Sequence, residues 1–343
     1  IGDYQYLDTY QVSPNLYGNY TGLLPSRLYN PNFSWEKTTK LEAALELGLW
    51  EDRLNVSLAW YRNRSGNQLV GIPLPGTTGF ATILANLPAT VENTGWEIEA
   101  SFDALRSGAF RWQTSVNLSI PRNKLVAFPG LEGSTYANRY VIGQPVSIVK
   151  LYNFEGIDPQ TGLYRFTDQN GDGTITAPDD NTITENMGVR YFGGFSNNLS
   201  YKNWNLAFLF QFVKQRQWNY NSMMPTPGSM NNQPVEVGNV WSPENPSGTY
   251  MPYTSGADPV KNQLHGYFME STAAVSDASF IRLKNIQLSY RLPVNGFVSD
   301  AVLYLQGQNL LTFTKYFGLD PEFTQLGFVP PLKTVSFGVQ LNF

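Results

Sequence analysis

Long runs of strict period-two alternation constrain this 343-residue chain more than any other feature. From Leu41 to Leu49 the odd positions read Leu, Ala, Leu, Leu, Leu, while the even ones read Glu, Ala, Glu, Gly. Leu54, Val56, Leu58 and Trp60 then alternate with Asn55, Ser57, Ala59 and Tyr61. Trp96, Ile98, Ala100 and Phe102 oppose Glu97, Glu99, Ser101 and Asp103 in the same way. Phe110, Trp112, Val116, Leu118 and Ile120 oppose Arg111, Gln113, Ser115, Asn117 and Ser119. The last run sets Val335, Phe337, Val339, Leu341 and Phe343 against Thr334, Ser336, Gly338, Gln340 and Asn342. Successive side chains of a strand point to opposite faces, so each run predicts a strand with one apolar and one polar side. Nine strands are expected, near 38–49, 53–67, 94–105, 110–120, 192–201, 204–213, 280–292, 301–310 and 334–343.

The connections alternate in length. Short turns are expected near 50–52, 106–109, 202–203 and 293–300, and long ones near 68–93, 121–191, 214–279 and 311–333. Structureless connections that long are uncommon in compact soluble domains. Transmembrane barrels pair tight periplasmic turns with long extracellular loops. With the short turns periplasmic, the strand near 301–310 runs outward and the last one returns, ending at Phe343 in the periplasm. Charged residues are only 15% of the chain against 14% aromatic, which suits strands with lipid on one side. Trp50, Trp60, Trp96, Trp112 and Trp204 sit where interfacial girdles would. The alternative at this stage is a soluble all-β protein with the same alternation.

Other classes are excluded by composition. With 23 Lys and Arg against 27 Asp and Glu there is no basic excess to serve a nucleic-acid partner. No run reaches the roughly 18 apolar residues of a membrane-spanning helix. Zero Cys removes disulfides and thiol chemistry. The opening IGDYQYLDTY does not read as a signal peptide. The single histidine, His265, is expected to be solvated or structurally hydrogen-bonded rather than catalytic. Glu97, Glu99 and Asp103 mark the polar face of a strand rather than a pair of glycosidase carboxylates.

Several stretches carry a family resemblance. NPNFSWEKTTKLEAALELGL followed by RLNVSLAWYRNRSGNQLV resembles a barrel segment of SusC/RagA-like TonB-dependent transporters. IPLPGTTGFATILANLPATVENTGWEIEA, QGQNLLTFTKYFGLDPE and the closing PPLKTVSFGVQLNF are similar to later segments of that family, in the same order. The resemblance spans about residue 30 to residue 343. It implies an all-β, antiparallel transmembrane β-barrel of about 22 strands with a plug in its lumen. Complete bacterial barrels have an even number of strands. Nine therefore read as the carboxyl-terminal portion: residues 1–37 are a loop or partial strand leading into barrel residues 38–343, with the plug and earlier strands outside the chain.

The resemblance further implies a non-enzymatic, multi-pass protein of the bacterial outer membrane. It would import oligosaccharides or peptides, driven by TonB acting on the plug and closed by a SusD-like surface lipoprotein. Outer-membrane lipid and the rest of its own barrel are the other expected partners. The runner-up is a soluble or surface calcium-stabilised carbohydrate-binding protein.

One loop motif is sharp. Asp168, Asn170, Asp172, Thr174 and Asp179 follow the oxygen-ligand spacing of an EF-hand-type calcium loop, with Gly173 at the turn. Asp168, Asn170 and Asp172 would give side-chain oxygens, Thr174 a carbonyl, and Thr176 a water-mediated contact. Asp179 stands where a longer Glu is usual. An Asx-rich turn needing no ion is the competing reading. Tyr136, Tyr152, Trp218 and Trp241 are the candidate substrate-binding rings, alongside Tyr140 and Tyr220. The same rings could instead pack the loops together.

Overall fold

Alternating segments satisfy their backbone N–H and C=O groups only by lying beside one another. In the computed structural model they do so as nine strands: β1 (Lys37–Leu49), β2 (Leu54–Pro73), β3 (Thr82–Leu105), β4 (Phe110–Ala127), β5 (Tyr191–Tyr201), β6 (Trp204–Lys214), β7 (Phe280–Leu292), β8 (Asp300–Thr314) and β9 (Thr334–Asn342). The structure describes residues 4–106, 108–294, 296–324 and 329–343. Residues 107, 295 and 325–328, within the expected connections 106–109, 293–300 and 311–333, lie outside the described residues. The nine strands form one antiparallel sheet in which each lies beside its sequence neighbours, with β1 and β9 at the open edges.

Register settles which side chains share a face. Trp112, Leu199, Leu206, Leu288, Leu305 and Phe337 stand directly opposite one another across six consecutive strands. One residue along lies a polar column: Gln113, Asn198, Ala207, Gln287, Gln306 and Ser336. Opposed residues lie on the same face, so the sheet has one apolar and one polar surface. Among the described residues the apolar side is open: Leu41 is 56% exposed, Phe337 70% and Val335 65%. A register shift flanks Lys284, between Leu209 and Phe210 on one side of β7 and between Leu283 and Asn285 on the other. The bulge restores the alternation above it, so Ile281 joins the apolar face and Arg282 the polar one.

The turns after β1 and β5 are tight. Trp50, Glu51 and Asp52 all hold positive φ, near 54–58°. Such backbone is costly for residues with side chains, on the order of 1 kcal/mol each. The Arg106 guanidinium offsets it by donating to the carbonyls of Glu51 at 3.1 Å and Asp52 at 2.7 Å. Lys202 turns the β5–β6 hairpin, where Tyr201 pairs directly with Trp204.

The structure corrects two boundaries. The expected long loop at 68–93 narrows to 74–81, because β2 runs to Pro73 and β3 starts at Thr82. Gly and Pro in IPLPGTTGF masked the pairing, and Asn86 ties its strand to Asn67 and Ser34 with 2.9 and 2.8 Å bonds. Likewise β4 continues to Ala127, beyond the expected end at 120. Residues 1–37, expected as loop or partial strand, contain a hairpin of Thr9–Tyr17 and Tyr20–Arg27 whose strands pair with each other.

The chain divides into two compact units. The first takes the chain up to Ala43 with Trp60–Gly95 and Arg122–Val146, and its core is Ala89, Leu125, Phe128 and Leu131. The second holds Ala44–Ala59, Trp96–Pro121 and Ser147–Phe343. Its core lies in the loops rather than on the sheet: Tyr152, Tyr164, Phe166, Met224, Val237, Tyr250, Met251 and Phe268 are all buried.

Candidate functional site

The polar face of the second unit forms a concavity of about 870 Å³. Glu46, Ser57, Glu99, Asn117, Gln211 and Lys284 are among its lining residues. They reach it because each occupies a polar-face position on its strand. Carboxylates, amides and hydroxyls share this wall with apolar side chains such as Leu47, Val56, Phe192 and Leu209.

Above the sheet, the loops have their own structure. The segment after β4 contributes Ile148–Leu151, paired with Ile183–Asn186, and the hairpin Phe154–Ile157 with Tyr164–Phe166. The segment after β6 contributes Arg216–Trp218, paired with Val275–Asp277, and one helix, α1 (Pro259–Met269). The two segments are stitched where Tyr152 N donates to Glu270 O at 3.1 Å and Thr272 N to Tyr152 O at 3.0 Å. Aromatic rings fill the space between: Tyr164 stacks on Phe268 at 4.3 Å, and Phe154 meets the same ring edge-on at 5.2 Å. Helix α1 was not anticipated, although its start is written in the sequence. Asp258 caps it by accepting from Val260 N and Lys261 N at 3.0 and 3.1 Å, and Pro259 fits the first turn.

His265 belongs to this core. It is 2% exposed, its Nε2 lies 2.6 Å from Met224 O, and its ring centre lies 6.3 Å from that of Tyr164 and 5.9 Å from that of Phe268, beside their stacked pair. Burial pulls its pKa below the ordinary value, against the hydrogen bond to Met224. Its role is structural.

The expected substrate-binding rings are dispersed. Tyr152 is 3% exposed inside the loop core, so its ring is not presented to a ligand. Trp218 is half-buried in the short pair with Val275–Asp277. Trp241 is half-buried against Gly162, where any added Cβ would strike its ring. Tyr136, in the first unit, packs on Phe128 and Tyr140 at 5.9 and 5.8 Å. Three of these rings serve hydrophobic clusters or tight packing that sequence spacing could not disclose.

The acidic loop is ordered by its own hydrogen bonds. Asp168 accepts from Gly171 N at 2.7 Å and from Gly173 N at 2.8 Å. Asp172 accepts from Thr174 N and Oγ1 at 2.8 and 2.7 Å, and Asn170 Nδ2 also donates to it at 3.0 Å. These bonds, the Thr174 hydroxyl's first, hold the Asp172 carboxyl below its usual range. Asp179 is exposed, and the residue that fastens the loop is its neighbour Asp180. Fully buried, Asp180 accepts from Gln169 N and Thr176 N at 2.6 and 2.7 Å. Asp168, Asn170 and Asp172 carry the donor types of a calcium loop's first residues, and both Asp168 carboxylate oxygens accept from backbone amides of the loop itself. Among the described residues no cluster of three or more His, Asp or Glu forms a metal site by carboxylates and imidazoles alone.

Two-faced strands, tight turns at one end and structured loops at the other define an outer-membrane barrel wall, and the comparisons agree. The chain belongs to the TonB-dependent receptor-like β-barrel family, whose pattern it matches over residues 5–310. TonB-dependent receptor P26 of Formosa agariphila is 31% identical, covering 90% of this chain and 33% of that protein. TonB-dependent receptor SusC of Bacteroides thetaiotaomicron is 24% identical over 93% of this chain and 33% of its own length. A solved structure of the RagAB peptide transporter superposes with a TM-score of 0.81 at 26% identity, covering all of this chain and 39% of that one. The chain thus spans about a third of the length of these relatives. It is a SusC-like barrel portion of a TonB-dependent receptor, and these relatives are TonB-dependent receptors and a peptide transporter. The reading as a soluble sugar-binding protein gives way to this one.

Proposed function

We propose that the chain forms the barrel wall and extracellular vestibule of an importer that brings oligosaccharides or peptides into the periplasm. A SusD-like surface lipoprotein would close over the loops, and TonB would supply the work through the remainder of the protein. The observation that carries this reading is the sheet itself, with an uncovered apolar face and a hydrated polar face below a cored loop layer. A wall of that construction separates lipid from an aqueous lumen. Similarity to the RagAB peptide transporter and to SusC supports substrates of oligomer size. The experiment is to purify the complete transporter from outer membranes in mild detergent and to grow the deletion strain on peptide and glycan panels. A co-purifying lipoprotein and a growth defect on one oligomer class are expected. Normal growth on every oligomer, with no lipoprotein bound, would overturn the reading.

The 168–180 loop adds a smaller proposal. A calcium ion would be held by Asp168, Asn170 and Asp172 with the Thr174 carbonyl, and Asp179 or Asp180 would complete the shell. It would pin the loop beside the Tyr164–Phe166 strand. Calorimetric titration of the complete transporter with calcium chloride tests it. Binding lost in Asp172→Asn is expected, and no heat at millimolar calcium would sink the idea.

A further inference from the structure

A charged side chain buried on the polar face of a barrel strand needs a reason, and Arg282 has one. It is 1% exposed, on β7 just above the Lys284 bulge. Its Nη2 meets Asp320 Oδ2 at 2.5 Å, its Nη1 meets Glu322 Oε2 at 2.6 Å, and its Nε donates to Thr312 Oγ1 at 3.0 Å. The guanidinium carbon stands 5.2 Å from the centre of the Phe280 ring. Lys284 Nζ also meets Glu322, at 3.0 Å from Oε2 and 3.1 Å from Oε1, so two cations face two carboxylates and the cluster is neutral.

Both carboxylates come from the segment that follows β8. That segment is also bound to the loop layer. Gln215, buried at the end of β6, donates Nε2 to Pro321 O at 2.7 Å. Tyr220 N donates to Phe317 O at 3.0 Å, and the two rings meet edge-on at 5.3 Å. The Tyr316 hydroxyl donates to Trp218 O. Asn219, in turn, donates to Ala274 O from its backbone at 2.8 Å and to Ala273 O from its side chain at 3.0 Å. A continuous chain of contacts therefore runs from the wall at Arg282, through residues 315–323, into the loops between β6 and β7, and on to the aromatic core that joins the loops after β4.

We propose that the Arg282–Asp320–Glu322 cluster is a static latch fastening the loops of the second unit to the lumen side of β7, so that they form a fixed rim and gating motions arise elsewhere. This deepens the importer reading and rests on it for what the rim surrounds. The physical ground is the cost of opening. Removing one partner of a desolvated ion pair leaves the other charge buried without compensation, which raises the open population by a factor on the order of 10²–10³. A mobile gate would not be held by so strong a lock.

The test uses the complete transporter in outer-membrane vesicles, with trypsin as the probe and Lys315 as the exposed cleavage site. The parent is expected to resist cleavage there, whereas Arg282→Met is expected to be cut at least tenfold faster. Glu322→Gln, which leaves Asp320 in place, should fall between them and guards against a variant that does not fold. Tyr220→Cys with Phe317→Cys, in a background with any other cysteine replaced, can be oxidised, and that crosslink should restore resistance to Arg282→Met. Equal cleavage of parent and both charge variants, all folded by heat-modifiable mobility, would overturn the latch. So would rapid cleavage of the parent. Because the readout involves no substrate, these results stand apart from any failure of the transport reading.

Discussion

His265 shows how a lone titratable residue is used up by packing. In an unfolded chain its pKa lies near 6.5, whereas burial holds it lower in the folded loops. The neutral ring is the stable one, so its contribution is complete above about pH 6.5 and is lost as pH falls below that value. Its Nδ1 is buried with no hydrogen-bond partner among the described residues, so a proton there would arrive without an acceptor. Hydrogen exchange of the 262–269 amides, corrected for intrinsic rates, should show protection falling between pH 7.5 and 5.5. His265→Gln keeps a donor for Met224 O and should flatten that dependence; an equal fall in both proteins would refute the assignment. Gly162 makes the complementary case. It holds φ +74°, and an added Cβ would strike the Trp241 ring. Gly162→Ala should cost about 1–3 kcal/mol of loop stability, visible as a lower-temperature loss of tryptophan fluorescence anisotropy. Neither residue's environment could be foreseen, because their neighbours lie far away in sequence.

At the scale of the element, the strands behave as their alternation requires. Phe337 lies on the apolar face, mid-way along β9, and Ser336 beside it lies on the polar face. Phe337→Arg should therefore cost about 2–4 kcal/mol of membrane stability, while Ser336→Arg should be close to neutral. The fraction of heat-modifiable protein in the outer membrane measures both, and equal effects would mean the faces are misassigned. All nine sheet strands were legible in advance, since a half-buried strand writes its environment into every second residue. Their outer ends were not. Past Val70 the strand continues through Gly71 and Pro73 up to the 74–81 connection, where local propensity argues for loop. Helix α1 was legible only at its cap, because its buried residues, His265 and Phe268, answer to a tertiary core rather than to an apolar stripe.

For the molecule as a whole, the uncovered apolar face and the two open sheet edges predict how it partitions. The complete transporter should remain in the membrane pellet after an alkaline carbonate wash and leave it only with detergent; release into the wash would contradict a barrel wall. The sequence by itself determined the strands and their facing, because a period of two is a local property of the chain, while the outer-membrane expectation came from the family resemblance. Only the tertiary structure decided which carboxylate locks the acidic loop, that Tyr152 is core rather than platform, and that Arg282 ties the loops to the wall. The lock depends on Asp180 reaching Gln169 and Thr176 in a folded loop, and the other two outcomes on residues 30 or more positions apart and on an aromatic core assembled from two loops. No local spacing encodes such contacts.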